Sequence, residues 1–249
     1  MSTPDTGDSP RISVVVPVMN EEGNVETLLN EIVTALRGLS SFEALFVDDL
    51  SSDGTLAKLQ ALKSEVPELR VIAHDVNCGQ SAAIRSGILN ARGELVITLD
   101  GDGQNNPADI PKLLAQYDRA GRPANERMVA GQREKRMDTW SKRIASRVGN
   151  GVRGWLLKDS TRDTGCGLKL FEREAFLRLP YFDHMHRFLP ALMMREGYDI
   201  SHVDVSHRER QSGTSKYTNL QRLWVSLSDL FGVIWLRNRA RMPGERREL

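Results

Sequence analysis

The sequence predicts an α/β fold: a mostly parallel sheet flanked by helices, followed by an amphipathic helix near the C-terminal end. Three observations carry this expectation. Short apolar runs rich in β-branched residues recur four times before residue 100, separated by segments of helical period. Strands alternating with helices in this way form parallel sheets with right-handed crossovers. Acidic residues stand at the carboxyl ends of two of those runs, where such sheets bind ligands.

The first run, "ISVVVPV" from Ile12, is continuous, as in a strand buried on both faces. It leads into "NEEGNVETLLNEIVTALRGL", where Val25, Leu28, Leu29, Ile32, Val33 and Leu36 share one helical face. "EALFVDD" is the second strand, "GTLAKLQALKSEV" the second helix and "LRVIAH" the third strand. "GQSAAIRSGILNAR" is a small-residue helix, and "ELVITLD" closes the series. Beyond Pro107 the pattern loosens. "PADIPKLLAQYDRA" reads as a helix and "RMVAGQRE" as a short strand. A long helix is expected over 138–157, with Trp140, Ile144, Val148, Val152 and Trp155 on one face and Lys142, Arg143, Arg147 and Arg153 over much of the remainder. "GLKLF" reads as a strand, 172–179 as a short helix and "YDISHVDVSHRER" as an edge strand. An amphipathic helix starts at Asn219 and gives way to a basic tail. The expected organisation is a disordered tail over 1–10, one domain over 11–218, and a surface helix with its tail over 219–249.

A net charge of +1, with 27% charged residues, excludes the broad basic field that bulk nucleic-acid binding needs. Cys78 and Cys166 have no CxxC partner and no disulfide framework, which suits a reducing compartment. "MSTPDTGDSPR" lacks the apolar core of a signal peptide, and no stretch approaches the ~20 apolar residues of a membrane span. A cytosolic chain that touches a membrane only at its surface is expected.

The chemistry concentrates in "LDGDGQNNP". Asp100 and Asp102 stand two apart in a glycine-bearing turn at a strand end. Carboxylates converging there repel one another unless a cation lies between them or one is protonated. Mg²⁺ or Mn²⁺, hard and oxygen-seeking, is the natural occupant, and a solvated acidic turn is the competing reading. "VDDLSSDGT" adds Asp48 and Asp49 at a second strand end, where carboxylates could accept from ribose hydroxyls or base N–H groups. Asp53 reads more simply as a helix cap. His184 and His186, in "HMH", lack a matching ligand set and read as structural or exposed.

The elements "VVVPVMNEEGNV", "FVDDLSSDGT", "NCGQSAAIRSG", "LDGDGQNNP", "DTGCGLKLF" and "HRERQSGTSKY" together resemble the family-2 glycosyltransferases of the GT-A (Rossmann-like nucleotide-diphospho-sugar transferase) fold. The resemblance runs from about Ile12 to about Leu236, and its branch is the polyprenyl-phosphate hexosyltransferases, dolichol-phosphate mannosyltransferase-like enzymes among them. It implies that Pro17, Met19, Glu21, Val47 and Asp49 line a nucleotide-sugar pocket. Asp100, Gly101, Asp102 and Gln104 would hold metal and donor diphosphate, with Asp100, Asp102 and Gln104 as the metal ligands. Arg133, Arg210 and Lys216 would meet phosphate, and Asp100, Asp102 and Arg133 would be catalytic. Glu21 has a second reading as a first-turn helix carboxylate, and Arg133 as surface charge. Arg136, Arg187 and Arg208 are further acceptor candidates, and Asp163 is a base candidate or a loop cap. Leu50 and Met19 depart from the family pattern beside the nucleoside pocket.

The implied reaction is attack by a polyprenyl-phosphate oxygen on C1 of a nucleotide-activated hexose, with inversion and loss of the nucleoside diphosphate. GDP-mannose is the first donor expected. A UDP-linked glucose, N-acetylhexosamine or hexuronic acid is the alternative. A nucleotidyltransferase or a sugar-nucleotide-binding scaffold is the reading from another class. Leu220, Leu223, Trp224, Leu227, Leu230, Phe231, Ile234 and Trp235 form one helical face, followed by Arg237, Arg239 and Arg241. Such a helix suits a bilayer surface. Packing on the sheet, on a membrane-protein partner or on a second copy in a homo-oligomer is the other use of that face.

Overall fold

A computed structural model describes residues 9–134, 161–208 and 219–241, with the backbone alone for 219–227. The expected long basic helix over 138–157 lies outside these residues, as do Arg136, Arg210 and Lys216.

Among the described residues seven strands form one sheet: β1 (Ile12–Val18), β2 (Phe42–Asp48), β3 (Leu69–Ala73), β4 (Leu95–Thr98), β5 (Glu126–Arg133), β6 (Lys169–Glu172) and β7 (Asp199–Val205). Their order is β3-β2-β1-β4-β6-β5-β7. The first four are mutually parallel, as the fourfold alternation requires. β6 runs antiparallel to both β4 and β5, and β5 pairs in parallel with β7 at the edge. Only β6 is reversed. The continuous first run, expected to be buried on both faces, is so throughout β1, and every residue of β2 is buried as well.

Period-2 alternation divides the strand side chains between two layers. Val14, Val16 and Phe46 meet one layer, built from helices α1 (Val25–Leu36), α2 (Thr55–Leu62) and α4 (Ile110–Tyr117). Val15, Leu45, Val96 and Phe171 meet the other. That layer is built from α3 (Gln80–Asn90), α5 (Arg173–Leu177), α6 (Leu189–Arg195) and the C-terminal helix α7 (Asn219–Arg239). α3 lies close to the sheet because Gly87 has no Cβ: one there would stand 2.4 Å from Val15 Cγ1 if built, a gap only glycine leaves open.

One boundary and one unread helix bear on how the site is built. The first helix begins at Val25 rather than Asn20, because Asn20 adopts a left-handed φ of 57° and 21–24 form a turn closed by Asn24 N–H donating to Glu21 O. α6, "LPALMMR", carries no helical reading in the sequence; Leu189, Ala191, Leu192 and Met193 pack into the second layer.

Candidate functional site

The carboxyl ends of β1, β2, β3 and β4 open on one rim, and each delivers polar residues to it. β1 runs out into Met19, Asn20 and Glu21; β2 into Asp49 and Leu50; β3 into His74; β4 into Asp100 and Asp102. Two tight turns shape the rim. Asn20 and Leu50 both take left-handed φ, 57° and 63°. The turns are tied by Asn20 N–H donating to Ser51 Oγ (2.9 Å) and Ser52 N–H donating to Asn20 Oδ1 (2.7 Å). Leu50 is a branched residue in a conformation that suits Gly or Asn, so its departure from the family pattern carries backbone strain.

Asp100 is held from three sides. Its Oδ1 accepts from Gln80 Nε2 at 2.8 Å, from the start of α3. Its backbone N–H donates to Asn105 Oδ1 at 3.1 Å. Its Oδ2 lies against Gly167, where an added Cβ would strike it. Burial, with the nearby Asp102 charge adding to it, pushes the Asp100 carboxyl up to about 6. Asp102 Oδ1 accepts from the Gln104 backbone N–H at 3.1 Å, closing the turn. Gly101 backs onto β1: a Cβ there would stand 2.7 Å from Val18 Cγ1 and 2.8 Å from Pro17 O, so glycine is what lets the acidic turn sit against the first strand. Two carboxyls crowded until one resists ionisation, beside an amide-bearing turn, are a hard-oxygen donor set that fits Mg²⁺ or Mn²⁺.

Cationic groups stand behind this pair. Arg133, at the end of β5, is mostly buried and gives two parallel hydrogen bonds to Asp163, Nε to Oδ2 (2.5 Å) and Nη2 to Oδ1 (2.7 Å). Its charge reaches Asp100 and helps keep that carboxyl ionised. Lys169, on β6, is buried; its Nζ donates to the carbonyls of Thr164 (3.4 Å) and Cys166. Burial pulls its pKa down, and its charge also favours ionised Asp100. The sequence reading missed Gln80 and Lys169. Gln80 and Lys169 sit inside the quoted "NCGQSAAIRSG" and "DTGCGLKLF" elements, so a signal was present, though neither residue was given a role.

Asp49 is buried and fully engaged by its own chain. Oδ1 accepts from His74 Nδ1 (2.8 Å) and Cys78 N–H (2.9 Å), and Oδ2 from Asn77 Nδ2 (3.0 Å) and Gly79 N–H (2.7 Å). Asn77 Nδ2 also reaches Met19 Sδ at 3.1 Å, which brings Met19 beside Asp49. Glu21 Oε2 accepts from Asn24 Nδ2 at 2.6 Å. Val47 is fully buried and packs toward α3 rather than standing open on the rim. Pro17 is likewise buried, its carbonyl under Gly101.

The return from β7 ends beside the acidic turn. Asn105 bridges His207, and Arg208 N–H donates to Gln104 O at 3.1 Å. The Arg208 side chain is taken by Glu31 (2.7 Å) and Asn106. Asp163 has both oxygens on Arg133, so the loop-tying role is the one the structure displays. Asp53 caps the entry to α2 through Thr55 N–H (3.0 Å). His186 is half-buried, bonded to Ser81 Oγ at 2.7 Å and lowered by desolvation to about 3, hence a neutral imidazole in a structural position. His184 faces Asp229 of α7 at 3.2 Å.

α7 is two-sided where its side chains are described. Leu230 and Val233 are buried against the second layer, whereas Phe231 and Trp235 are 68% and 59% exposed. Among the described residues no helix is long and apolar enough to cross a membrane.

The family profile "Glycosyl transferase family 2" matches residues 13–179. The dodecaprenyl-phosphate galacturonate synthase of Rhizobium johnstonii is 32% identical over 247 residues, covering 97% of this chain and 72% of that protein. The undecaprenyl-phosphate 4-deoxy-4-formamido-L-arabinose transferase of Proteus mirabilis is 34% identical over 218 residues, covering 85% of this chain and 64% of that protein. The chain thus spans only about two thirds of the length of such relatives. Among solved structures, glucosyl-3-phosphoglycerate synthase from Mycobacterium tuberculosis, in complex with Mn²⁺, UDP-glucose and phosphoglyceric acid, superposes with a TM-score of 0.67 at 18% identity. That match covers 92% of this chain and 79% of that one. It shows a shared GT-A-type fold.

Proposed function

The chain belongs to glycosyl transferase family 2, and from that premise we propose that it moves a sugar from a nucleotide sugar to the phosphate of a polyprenyl phosphate. The observation that carries the reading is the half-buried Asp100–Asp102 pair on the rim it shares with Asp49. The names of the relatives supply the acceptor class: both refer to a polyprenyl phosphate. Their sugars, galacturonate and a formamido-arabinose, favour the alternative donors over GDP-mannose.

The chain's own residues divide the work. A phosphate monoester is already an anionic nucleophile near neutral pH, so the protein need not remove a proton from it. What it must do is hold two anions against their mutual repulsion and in line. Asp100, locked by Gln80, Asn105 and Gly167, and Asp102, fixed by its turn, would hold Mg²⁺ or Mn²⁺ with Gln104 beside them. Bound there, the ion supplies positive charge to the departing diphosphate. Arg133, oriented by Asp163, offers its remaining N–H groups to phosphate, and Arg210 and Lys216 follow a segment pinned to the acidic turn at Arg208. Pro17, Met19, Glu21, Val47 and Asp49 form the nucleoside end, with Pro17 and Val47 shaping it from beneath. The exposed Phe231 and Trp235, with Arg237, Arg239 and Arg241 following, set the protein peripherally on the cytosolic face of a membrane, where the lipid acceptor lies.

The test incubates purified protein, Mn²⁺ and a short polyprenyl phosphate with a panel of nucleotide sugars and analyses the lipid fraction by mass spectrometry. Sugar-loaded lipid that disappears with chelator supports the reading. No transfer from any donor, or turnover indifferent to chelator, overturns the reaction or the metal assignment respectively.

A further inference from the structure

A second cluster on the rim has a different chemistry from the acidic pair. A carboxylate oxygen of Asp49, a ring nitrogen of His74 and Sγ of Cys78 all lie within 4.8 Å of one another. They arrive from three places in the chain: the end of β2, the residue after β3, and the loop before α3. We propose that Asp49, His74 and Cys78 bind a thiophilic divalent cation, Zn²⁺ being the best match, at a site separate from Asp100 and Asp102.

The donor set selects the ion. One thiolate, one imidazole and one carboxylate suit Zn²⁺ or Co²⁺, which accept sulfur and nitrogen in tetrahedral sites. Mg²⁺ and Ca²⁺ prefer oxygen throughout. Three protein ligands leave a fourth position for water, and Cys78 is exposed, so that position opens to solvent.

The surroundings are built as supports. Asp49 is only 4% exposed; Asn77 Nδ2 and Gly79 N–H fix Oδ2, while Oδ1 accepts from His74 Nδ1 and the Cys78 backbone N–H and would pass to the cation as His74 turns its lone pair there. His74 is held at its other nitrogen by Ser86 Oγ, 2.9 Å from Nε2. A hydroxyl both donates and accepts. In the metal-free arrangement the proton sits on Nδ1 and is given to Asp49, while Ser86 donates to Nε2. On metal binding the imidazole changes tautomer: Nε2–H donates to Ser86, and the Nδ1 lone pair turns to the cation. That is the outer-shell partner a metal-ligating histidine requires. The tautomer change moves a proton from one ring nitrogen to the other, and the proton released on binding is the one the Cys78 thiol loses as it becomes a thiolate ligand.

The position gives such an ion a consequence. Asn77, which holds Asp49, also touches Met19, so the cation would pin the loop 74–79 beside the first-strand exit, and, as Asp49 is also given to the nucleoside end, cation and nucleoside would compete for its carboxylate.

The experiment titrates Co²⁺ into the full chain under reducing, chelator-free conditions and follows absorbance. One equivalent is expected to give a near-ultraviolet thiolate-to-cobalt band and visible bands of tetrahedral intensity, both removed by stoichiometric Zn²⁺ and untouched by excess Mg²⁺. Cys78→Ser should lose the ultraviolet band, and His74→Ala should weaken Co²⁺ binding at least tenfold. Cys166→Ser and Asp102→Asn should each keep the full signal, which separates this site from the other thiol and from the acidic pair. Cys78 is exposed, so circular dichroism of Cys78→Ser should match the parent and exclude misfolding. Absence of a thiolate band at one equivalent, or its persistence in Cys78→Ser, overturns the proposal.

Discussion

Arg133 and Asp163 lie 30 residues apart and meet through two parallel hydrogen bonds of 2.5 and 2.7 Å, with little of either side chain exposed. The pair turns a strand-end arginine into a fixed feature of the rim. Removing one member leaves the other charge buried and uncompensated, a loss of about 3–5 kcal/mol for buried pairs. Arg133→Met and Asp163→Leu should each lower stability on that scale, and the double variant should lose clearly less than their sum. Urea melts of all four proteins measure the coupling. Additive losses would mean the two side chains act independently.

Asp102→Asn should nearly abolish turnover yet stabilise the metal-free protein at alkaline pH. The Asp100 carboxyl rises from 3.8 to about 6, through burial first and the Asp102 charge second. A carboxyl raised on folding contributes stability that is complete below its unfolded value and is lost as pH climbs through about 6. Removing the neighbouring charge should therefore raise the melting temperature by roughly 2–4 °C at pH 8, for about 1 kcal/mol in a domain of this size. The gain should vanish at pH 5, where Asp100 is already protonated. An equal gain at both pH values would refute the charge argument.

The same proton competes with a divalent cation. Below about pH 6 the apparent Mn²⁺ affinity should fall roughly tenfold per unit, because Asp100 must release its proton to ligate. Titration calorimetry at pH 5, 6, 7 and 8 reads this directly. A flat profile would remove Asp100 from the ligand set.

Gly167→Ala tests the spatial lock on Asp100. A Cβ at Gly167 would strike Asp100 Oδ2 and stand 2.6 Å from Asn105 Oδ1, the group that holds the Asp100 backbone. Displacement of about 1 Å at a reacting centre costs on the order of 100-fold in rate. Turnover should fall by that much while thermal stability drops by only about 1–3 kcal/mol, as for other overpacked positions. Loss of folding and activity together would assign Gly167 a purely structural role.

The two sides of α7 should separate cleanly. Phe231→Ser with Trp235→Ser should leave the melting temperature within about a degree, since both side chains face solvent, and should cut vesicle co-sedimentation severalfold. Leu230→Ala should cost about 2 kcal/mol of stability with vesicle binding retained. Unchanged vesicle binding in the first variant would put the exposed pair to another use.

The first four strands and three helices were readable from local pattern. Ile12–Val18 and Phe42–Asp48 are apolar because both faces of a central strand are covered, and Asp100 and Asp102 stand out because an acidic turn there has no packing reason to exist. Short-range spacing carries that information, since strand and helix periods are set within a few residues. The motifs also led to the family and to the acidic pair. What spacing does not encode is which distant groups meet. The reversal of β6 places buried Lys169 behind Asp100, and the register of β5 with its neighbours sets Arg133 beside Asp163. The crossover from β3 to α3 wraps a loop around Asp49 and brings His74 and Cys78 to one point. Those meetings depend on sheet order and on burial, which disfavours a lone charge and strengthens the interaction between paired ones by removing water. They are properties of the packed chain, and a run of letters holds them only implicitly.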